Sequence, residues 1–348
     1  MRADGNVLPH LSRATALALA ALALGLVACS RYGGGYGEPE VANDYSNDPG
    51  NNRSGGEQPP GARRVFVLVD AFDTPESARY DPEQDVFFVS DMTGYGSDKD
   101  GNGLIARVGA ADPTKVTAFA RGGQNGVQLD APKGMVLHGD TLWVTDIDKL
   151  RAFDRHTGQP LATIDLAPQH AVLLNDIAVA PDGTLRVTDS GIKMTDKGVI
   201  YVGGDKIFSI GPGGSVSVVA QGAQLGRPNG ITWDAREKRW LVVNFDPFTS
   251  RLMAYSPDFR REQQLDAGHG KWDGVEALPD GGIILSSWSD SSIHLVADGR
   301  DRQVVRNVPA PADIGYDTQR NRVWIPISNA GRIEVWEFAG REVASRRE

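Results

Sequence analysis

Apolar and polar positions alternate along most of the chain in short β-like runs, and one arrangement recurs six times. The copies are PESARYDPEQDVFFVSD from Pro75, PKGMVLHGDTLWVTD from Pro132, LNDIAVAPDGTLRVTD from Leu174, PNGITWDAREKRWLVVN from Pro228, WDGVEALPDGGIILSSW from Trp272 and ADIGYDTQRNRVWIPIS from Ala312. Each holds a polar residue in second place, a short strand, a turn, and a second strand rich in Val, Ile, Leu and Trp. A third alternating strand follows each pair: LIARV at 104–108, LRAF at 150–153, KIFSI at 206–210, RLMAY at 251–255, SIHLV at 292–296 and RIEVWEF at 332–338. A fourth follows in most copies, as in KVTAFA from Lys115, PLATIDL from Pro160, VSVVA from Val216 and QVVRNV from Gln303. Four antiparallel strands every 40 to 57 residues predict an all-β fold, a six-bladed β-propeller. The last copy lacks a fourth strand, while RRVFVLVDAF at 63–72 has no partner of its own. The N-terminal strand is therefore expected to complete the last blade and close the ring, which removes an exposed edge.

In such a ring the innermost strands all start at one end of the central channel. The six second residues, Glu76, Lys133, Asn175, Asn229, Asp273 and Asp313, should then converge on the axis. Three carboxylates and two amides are oxygen donors, suited to a hard cation and unsuited to zinc or copper. The spacing makes Ca2+ the first candidate, with Mg2+ and Mn2+ behind it. The same residues would equally serve as strand caps or line a water-filled channel.

Composition narrows the partners. The 348 residues are 40% hydrophobic and 23% charged, with 41 Gly and 20 Pro, as a turn-rich globular chain requires. A net charge of -9 would repel a polyanion, which excludes a nucleic-acid role. The single cysteine allows no internal disulfide, and no zinc-finger spacing occurs among the six histidines. That cysteine, Cys29, ends Leu-Val-Ala-Cys after an Ala/Leu-rich run from Ala14 to Leu26, with Arg2 and Arg13 ahead of it. The run falls short of the roughly 20 residues of a spanning helix and reads as an export signal. The string resembles a bacterial lipoprotein cleavage box, which implies a signal peptide at 1–28, lipid on Cys29 and, with Ser30 next, sorting to the outer membrane. The Gly-, Pro- and Asn-rich stretch 29–62 cannot bury a core and is expected to tether a propeller at 63–348, facing the periplasm or the exterior.

The motifs PES, LND, PNG and WDG, in that order, resemble the regucalcin and gluconolactonase (senescence marker protein) family of six-bladed propellers, over about residues 65–338. The resemblance implies a divalent cation on Glu76, Asn229 and Asp273, with Asn175 touching substrate or a water on the metal. It also implies hydrolysis of lactones or related esters, with Asp273 as general base. Leu173 stands where sugar-lactone hydrolases of the family often have Arg. Lys133 is expected to bind an acidic substrate, take the metal's place or pair with Asp313, and that pairing is the expected role of Asp313. A reading of another class is a non-catalytic propeller of the NHL type that binds a cell-envelope protein or glycan. A strictosidine-synthase-like condensing activity shares the fold and comes third.

Other signals carry less. Asp98 to Gly103 opens like an EF-hand loop but has Gly109 in twelfth place and strands on either side, so it reads as a turn. His170 and His269 lie just ahead of Asn175 and Asp273 and could overhang the channel. Ser286 to Ser292 lacks the glycines of a nucleophile elbow. Trp143, Trp240, Trp288 and Trp324 are expected in second strands, packing between blades.

Overall fold

A computed structural model describes residues 61–248, 250–265 and 271–338. The predicted signal, Cys29, the tether as far as residue 60 and His269 lie outside the described residues, and Ala62, the last residue assigned to the tether, already belongs to the first strand. Among those described, no helix is long and apolar enough to cross a membrane.

The first strand, β1 (Ala62–Leu68), is followed by the first blade: β2 (Pro75–Asp81), β3 (Val86–Asp91), β4 (Leu104–Gly109) and β5 (Val116–Arg121). The second blade is β6 (Pro132–His138), β7 (Thr141–Asp146), β8 (Lys149–Asp154) and β9 (Pro160–Asp165). The third begins with β10 (Leu174–Val179) and β11 (Leu185–Asp189), inserts the hairpin β12 (Ile192–Thr195) and β13 (Gly198–Tyr201), then resumes with β14 (Lys206–Ile210) and β15 (Val216–Gln221). The fourth is β16 (Pro228–Asp234), β17 (Arg239–Asn244), β18 (Leu252–Tyr255) and β19 (Glu262–Leu265). The fifth is β20 (Trp272–Ala277), β21 (Ile283–Ser287), β22 (Ser292–Ala297) and β23 (Arg300–Arg306). The sixth is β24 (Gly315–Asp317), β25 (Arg322–Ile327) and β26 (Arg332–Phe338), and β1 pairs antiparallel with β26 to complete it. The fold is the predicted six-bladed propeller, closed by its N-terminal strand.

Packing explains why single blades would not suffice. Six hydrophobic clusters each join two neighbouring blades. Burying one large side chain contributes roughly 1.5–3 kcal/mol, so the ring is held at every junction and not by one central core. Trp324 of the sixth blade stacks on Phe87 of the first, centroids 4.1 Å apart. Trp240 is buried between the third and fourth blades, and Trp143 packs between the second and third. Trp288 departs from expectation. It lies just beyond β21 and faces the axial cavity.

Two devices place the start of each inner strand. Asp91, Asp146 and Asp189 end the second strands of the first three blades. Each carboxylate accepts two backbone N–H bonds from the residues just ahead of the inner strand, at 2.8–3.1 Å. A register shift then occurs at the start of β2, β6, β10, β16 and β20. Such a bulge re-aims a side chain, and here it falls at the second residue of five blades. Neighbouring inner strands run very close at this level. A Cβ on Gly230 would lie 2.5 Å from the Asp273 carbonyl oxygen, and one on Gly274 would lie 2.6 Å from the Ile314 nitrogen. Hydroxyls stitch blade to blade: Thr145 and Thr188 donate to the carbonyls of Asn175 and Asn229, both at 2.6 Å.

Candidate functional site

Five of the six predicted ring residues, Glu76, Lys133, Asn175, Asn229 and Asp273, line one cavity of about 70 Å³ at the end of the channel where the inner strands begin. All five are buried. Asp313 is not among them, and Ala312 holds the corresponding place. The inner strand of the sixth blade is only Gly315–Asp317, and Asp313 bridges Ser77, the residue after Glu76. Asp313 is thus one step further along its segment than Glu76 is in its own.

The expected pairing of Lys133 with Asp313 does not form. The Lys133 ammonium donates to the carbonyls of Gly96 (2.8 Å) and Ala131 (2.9 Å). Asp313 accepts from the Ser77 hydroxyl at 2.6 Å and lies 3.7 Å from the Arg79 guanidinium. Burial pushes the Lys133 ammonium down to about 8, with Glu76 and then Asp146 pulling it back up.

Glu76 Oε2, Asn229 Oδ1 and Asp273 Oδ1 are buried acceptors with no hydrogen-bond partner. Burial holds the Glu76 carboxyl well above its ordinary range, and the neighbouring Asp273 and Asp313 add to this. Asp273 is pushed up to about 8, first by burial and then by Asp313, while Trp288 and Asn229 beside it act in the other direction. Buried acceptors without partners are rare in folded proteins and call for a missing counterpart. Two acidic groups and an amide oxygen facing one cavity fit a hard divalent cation. Among the described residues no three His, Cys, Asp or Glu side chains form a metal-holding group; the third oxygen of this set is the amide of Asn229.

Beneath the cavity lies a second charged layer that sequence reasoning missed. Arg79 pairs with Glu276 and approaches Asp313. Burial opposes its charge, but Glu276 and Asp313 more than restore it. Asp176 accepts backbone N–H bonds from Ile177 and Ile231, both at 2.7 Å. Burial, and then Asp313, holds its carboxyl well above the ordinary range. Arg79 and Glu276 each follow a ring residue by three positions. Because a bulge intervenes, residues three apart both serve the axis, where plain alternation would send them to opposite faces.

Apart from Ser328 and the small Ala312, the rest of the cavity is lined by large, mainly apolar side chains: Met92, Ile192, Met194, Val199, Phe245 and Trp288. Phe245 meets Trp288 edge to face at 5.3 Å. Three of the six come from the hairpin β12–β13, which the sequence reading did not foresee. Met194 exchanges hydrogen bonds with Ser97 of the first blade, fixing the hairpin across the cavity.

The signals given less weight mostly lie outside the cavity. His170 is exposed and does not line the cavity. Residues 98–103 lie in the connection between β3 and β4. Ser286 donates to the Ala312 carbonyl and Ser292 to Asp290, both structural roles.

Fold and site together define a six-bladed propeller with an oxygen-donor ring at one end of its axis. The chain belongs to the SMP-30/Gluconolactonase/LRE-like family, whose description matches residues 74–315. Among solved structures it is similar to a gluconolactonase from Xanthomonas campestris, 17% identical over 78% of this chain and 89% of that one, with a TM-score of 0.60. A luciferin-regenerating enzyme is 12% identical over 80% of this chain and 96% of that one, with a TM-score of 0.60. A virginiamycin B lyase from Staphylococcus aureus is 12% identical over 80% and 99%, with a TM-score of 0.55. At these identities the likeness is one of fold. No curated protein matches the chain.

Proposed function

We propose that the protein is a divalent-cation-dependent hydrolase of lactones or related esters, with Ca2+ as its cation and a lipid anchor at Cys29 in the outer membrane. The observation that carries the reading is the set of three unpartnered oxygens, on Glu76, Asn229 and Asp273, facing one cavity. When bound there, a divalent cation polarises an ester carbonyl and makes water a better nucleophile. The chain's own residues do the rest. Asn175 and Lys133 are anchored by Ser190 and by the Gly96 and Ala131 carbonyls, so they meet a substrate in fixed positions. Asp273 takes the proton of the attacking water as its oxygen bonds to the carbonyl carbon. The ring C–O bond then breaks, and the proton passes to the leaving alkoxide, giving a hydroxy acid. With two oxygens, Asp273 divides ligation and proton transfer between them.

The test is turnover of a lactone panel with Ca2+ and with chelator. Ca2+ should be required, and Asp273→Ala should lower kcat by about 10²–10³ or more. In calorimetry, Asn229→Ala should lose tight Ca2+ binding. Release of a Cys29→Ser variant from the membrane fraction tests the anchor. The second reading, a non-catalytic binder of an envelope protein or glycan, draws support from the exposed apolar residues Ile200, Tyr201, Val202 and Phe248. Absence of both Ca2+ binding and turnover would decide for it.

A further inference from the structure

The polar groups of the cavity wall are largely spent inside the protein. Lys133 uses two of its three N–H donors on the carbonyls of Gly96 and Ala131. Asn175 donates to the Ser190 hydroxyl at 3.2 Å, and Ser328 donates to the Pro75 carbonyl at 2.6 Å. The oxygens of Glu76, Asn229 and Asp273 are the ones assigned above to the cation. What remains is one N–H of Lys133, one of Asn175, the Asn175 carbonyl, the Trp288 indole N–H and the Asn229 amide N–H beside Asp273, and the second oxygens of Glu76 and Asp273, the latter taken up by proton transfer. Leu173, fully buried, adds no polar group. Those few groups can hold one lactone carbonyl and its ring oxygen. All of them belong to the ring residues and Trp288, so any hydroxyl of a sugar lactone set against Met92, Ile192, Met194, Val199 or Phe245 would lose its water with no polar partner.

Resting on the hydrolase reading, we infer that the site selects small lactones or esters with a short apolar substituent and rejects polyhydroxylated ones, the hairpin β12–β13 supplying the wall that makes the choice. The size of the cavity agrees. About 70 Å³ holds about five waters at roughly 10–15 Å³ of such space each, which suits a five- or six-membered ring with a short branch. Selection follows from two asymmetries. An alkyl branch exchanges water for the thioethers and side chains of Met92, Met194, Ile192 and Val199, whereas an unpaired hydroxyl in the same place is penalised.

The experiment compares γ-caprolactone, γ-butyrolactone and D-glucono-1,5-lactone with the full-length protein in saturating Ca2+, following acid release in a pH-stat with spontaneous hydrolysis subtracted. The ethyl branch of γ-caprolactone adds two carbons, each worth about fourfold from roughly 0.8 kcal/mol. Its kcat/KM should exceed that of γ-butyrolactone by about 10–20-fold, and that of the gluconolactone by at least tenfold. Val199 is half exposed, so Val199→Asn leaves the core intact. In that variant, and in Met194→Ser, the ratio of γ-caprolactone to γ-butyrolactone should fall below about threefold while Ca2+ binding by calorimetry persists. A kcat/KM for the gluconolactone equal to or above that for γ-caprolactone overturns the apolar assignment and leaves the hydrolase reading standing. An unchanged ratio in both variants overturns the role of the hairpin. No turnover of any of the three with Ca2+ bound overturns the hydrolase reading, and this inference with it.

Discussion

Two layers of charge sit one above the other on the propeller axis, carried by the same inner strands and treated in opposite ways. In the upper layer Glu76, Asn229 and Asp273 leave oxygens unpartnered and the two carboxyls are pushed upward by burial. In the lower layer Glu276 and Asp313 meet Arg79, and Asp176 is held by two backbone amides. Three residues along β20 separate Asp273, whose Oδ1 has no hydrogen-bond partner, from Glu276, which is paired with Arg79. Buried acidic clusters therefore need not mark a ligand site. The difference here is that the unpartnered oxygens of Glu76, Asn229 and Asp273 face a cavity, where Lys133 is the one ammonium among the lining residues. The lower layer is largely paired within the protein, and the upper layer is the one proposed to receive a cation.

Removing the built-in cation should have the largest effect on stability. Arg79→Met leaves Glu276 and Asp313 buried without a counter-charge, a loss of about 3–5 kcal/mol, read from chemical denaturation. If Arg79→Met unfolds no more easily than wild type, the two layers are not different in kind. Supplying the missing cation should do the reverse above. Ca2+ at a hundred times its Kd should add about 2.7 kcal/mol, and a melting temperature indifferent to Ca2+ in wild type would count against the upper layer as a cation site. A third arrangement in the fifth blade sharpens the contrast, because its cation titrates. His294 bonds Asp301 at 2.7 Å and Asp290 at 2.9 Å, and it meets Trp272, next to Asp273, edge to face. Burial alone would lower His294, yet Asp290 and Asp301 raise it to about 9 from an ordinary 6.5. Its folded value lies above the unfolded one, so its contribution is complete below about pH 6.5 and is lost as pH rises through about 9. That is on the order of 3 kcal/mol, to be read from denaturation at pH 6 and 9.5. A His294→Gln variant should flatten this slope, and a slope that survives the change would assign it elsewhere.

The architecture was legible because a propeller repeats itself, and six copies of one strand pair are hard to produce otherwise. Glu76, Lys133, Asn175, Asn229 and Asp273 were legible for the same reason, each being the second residue of an inner strand. Asp313 was misplaced by one position because its segment has no full-length inner strand to set the count. The lower layer was hidden by the bulges, which make Arg79 and Glu276 share the axis with residues three positions earlier against simple alternation. Lys133 found its partners in the carbonyls of Gly96 and Ala131, and backbone partners leave no mark in a pattern of side chains. Trp288 was grouped with packing tryptophans because it follows a strand so closely that sequence alone places it inside.

The pairing of β1 with β26 sets a timetable. During synthesis the opening strand leaves the ribosome early and its partner, Arg332–Phe338, emerges near the end, with the whole wheel between them. Val65 and Leu68 can pack on Ala78, Phe87 and Val89 of the first blade, but the backbone edge of β1 waits for β26, and closing so long a loop is intrinsically slow. The wheel cannot be sealed before Arg332–Phe338 is present, and a chain halted before Arg332 would present the open edge of β1 to every neighbour it meets.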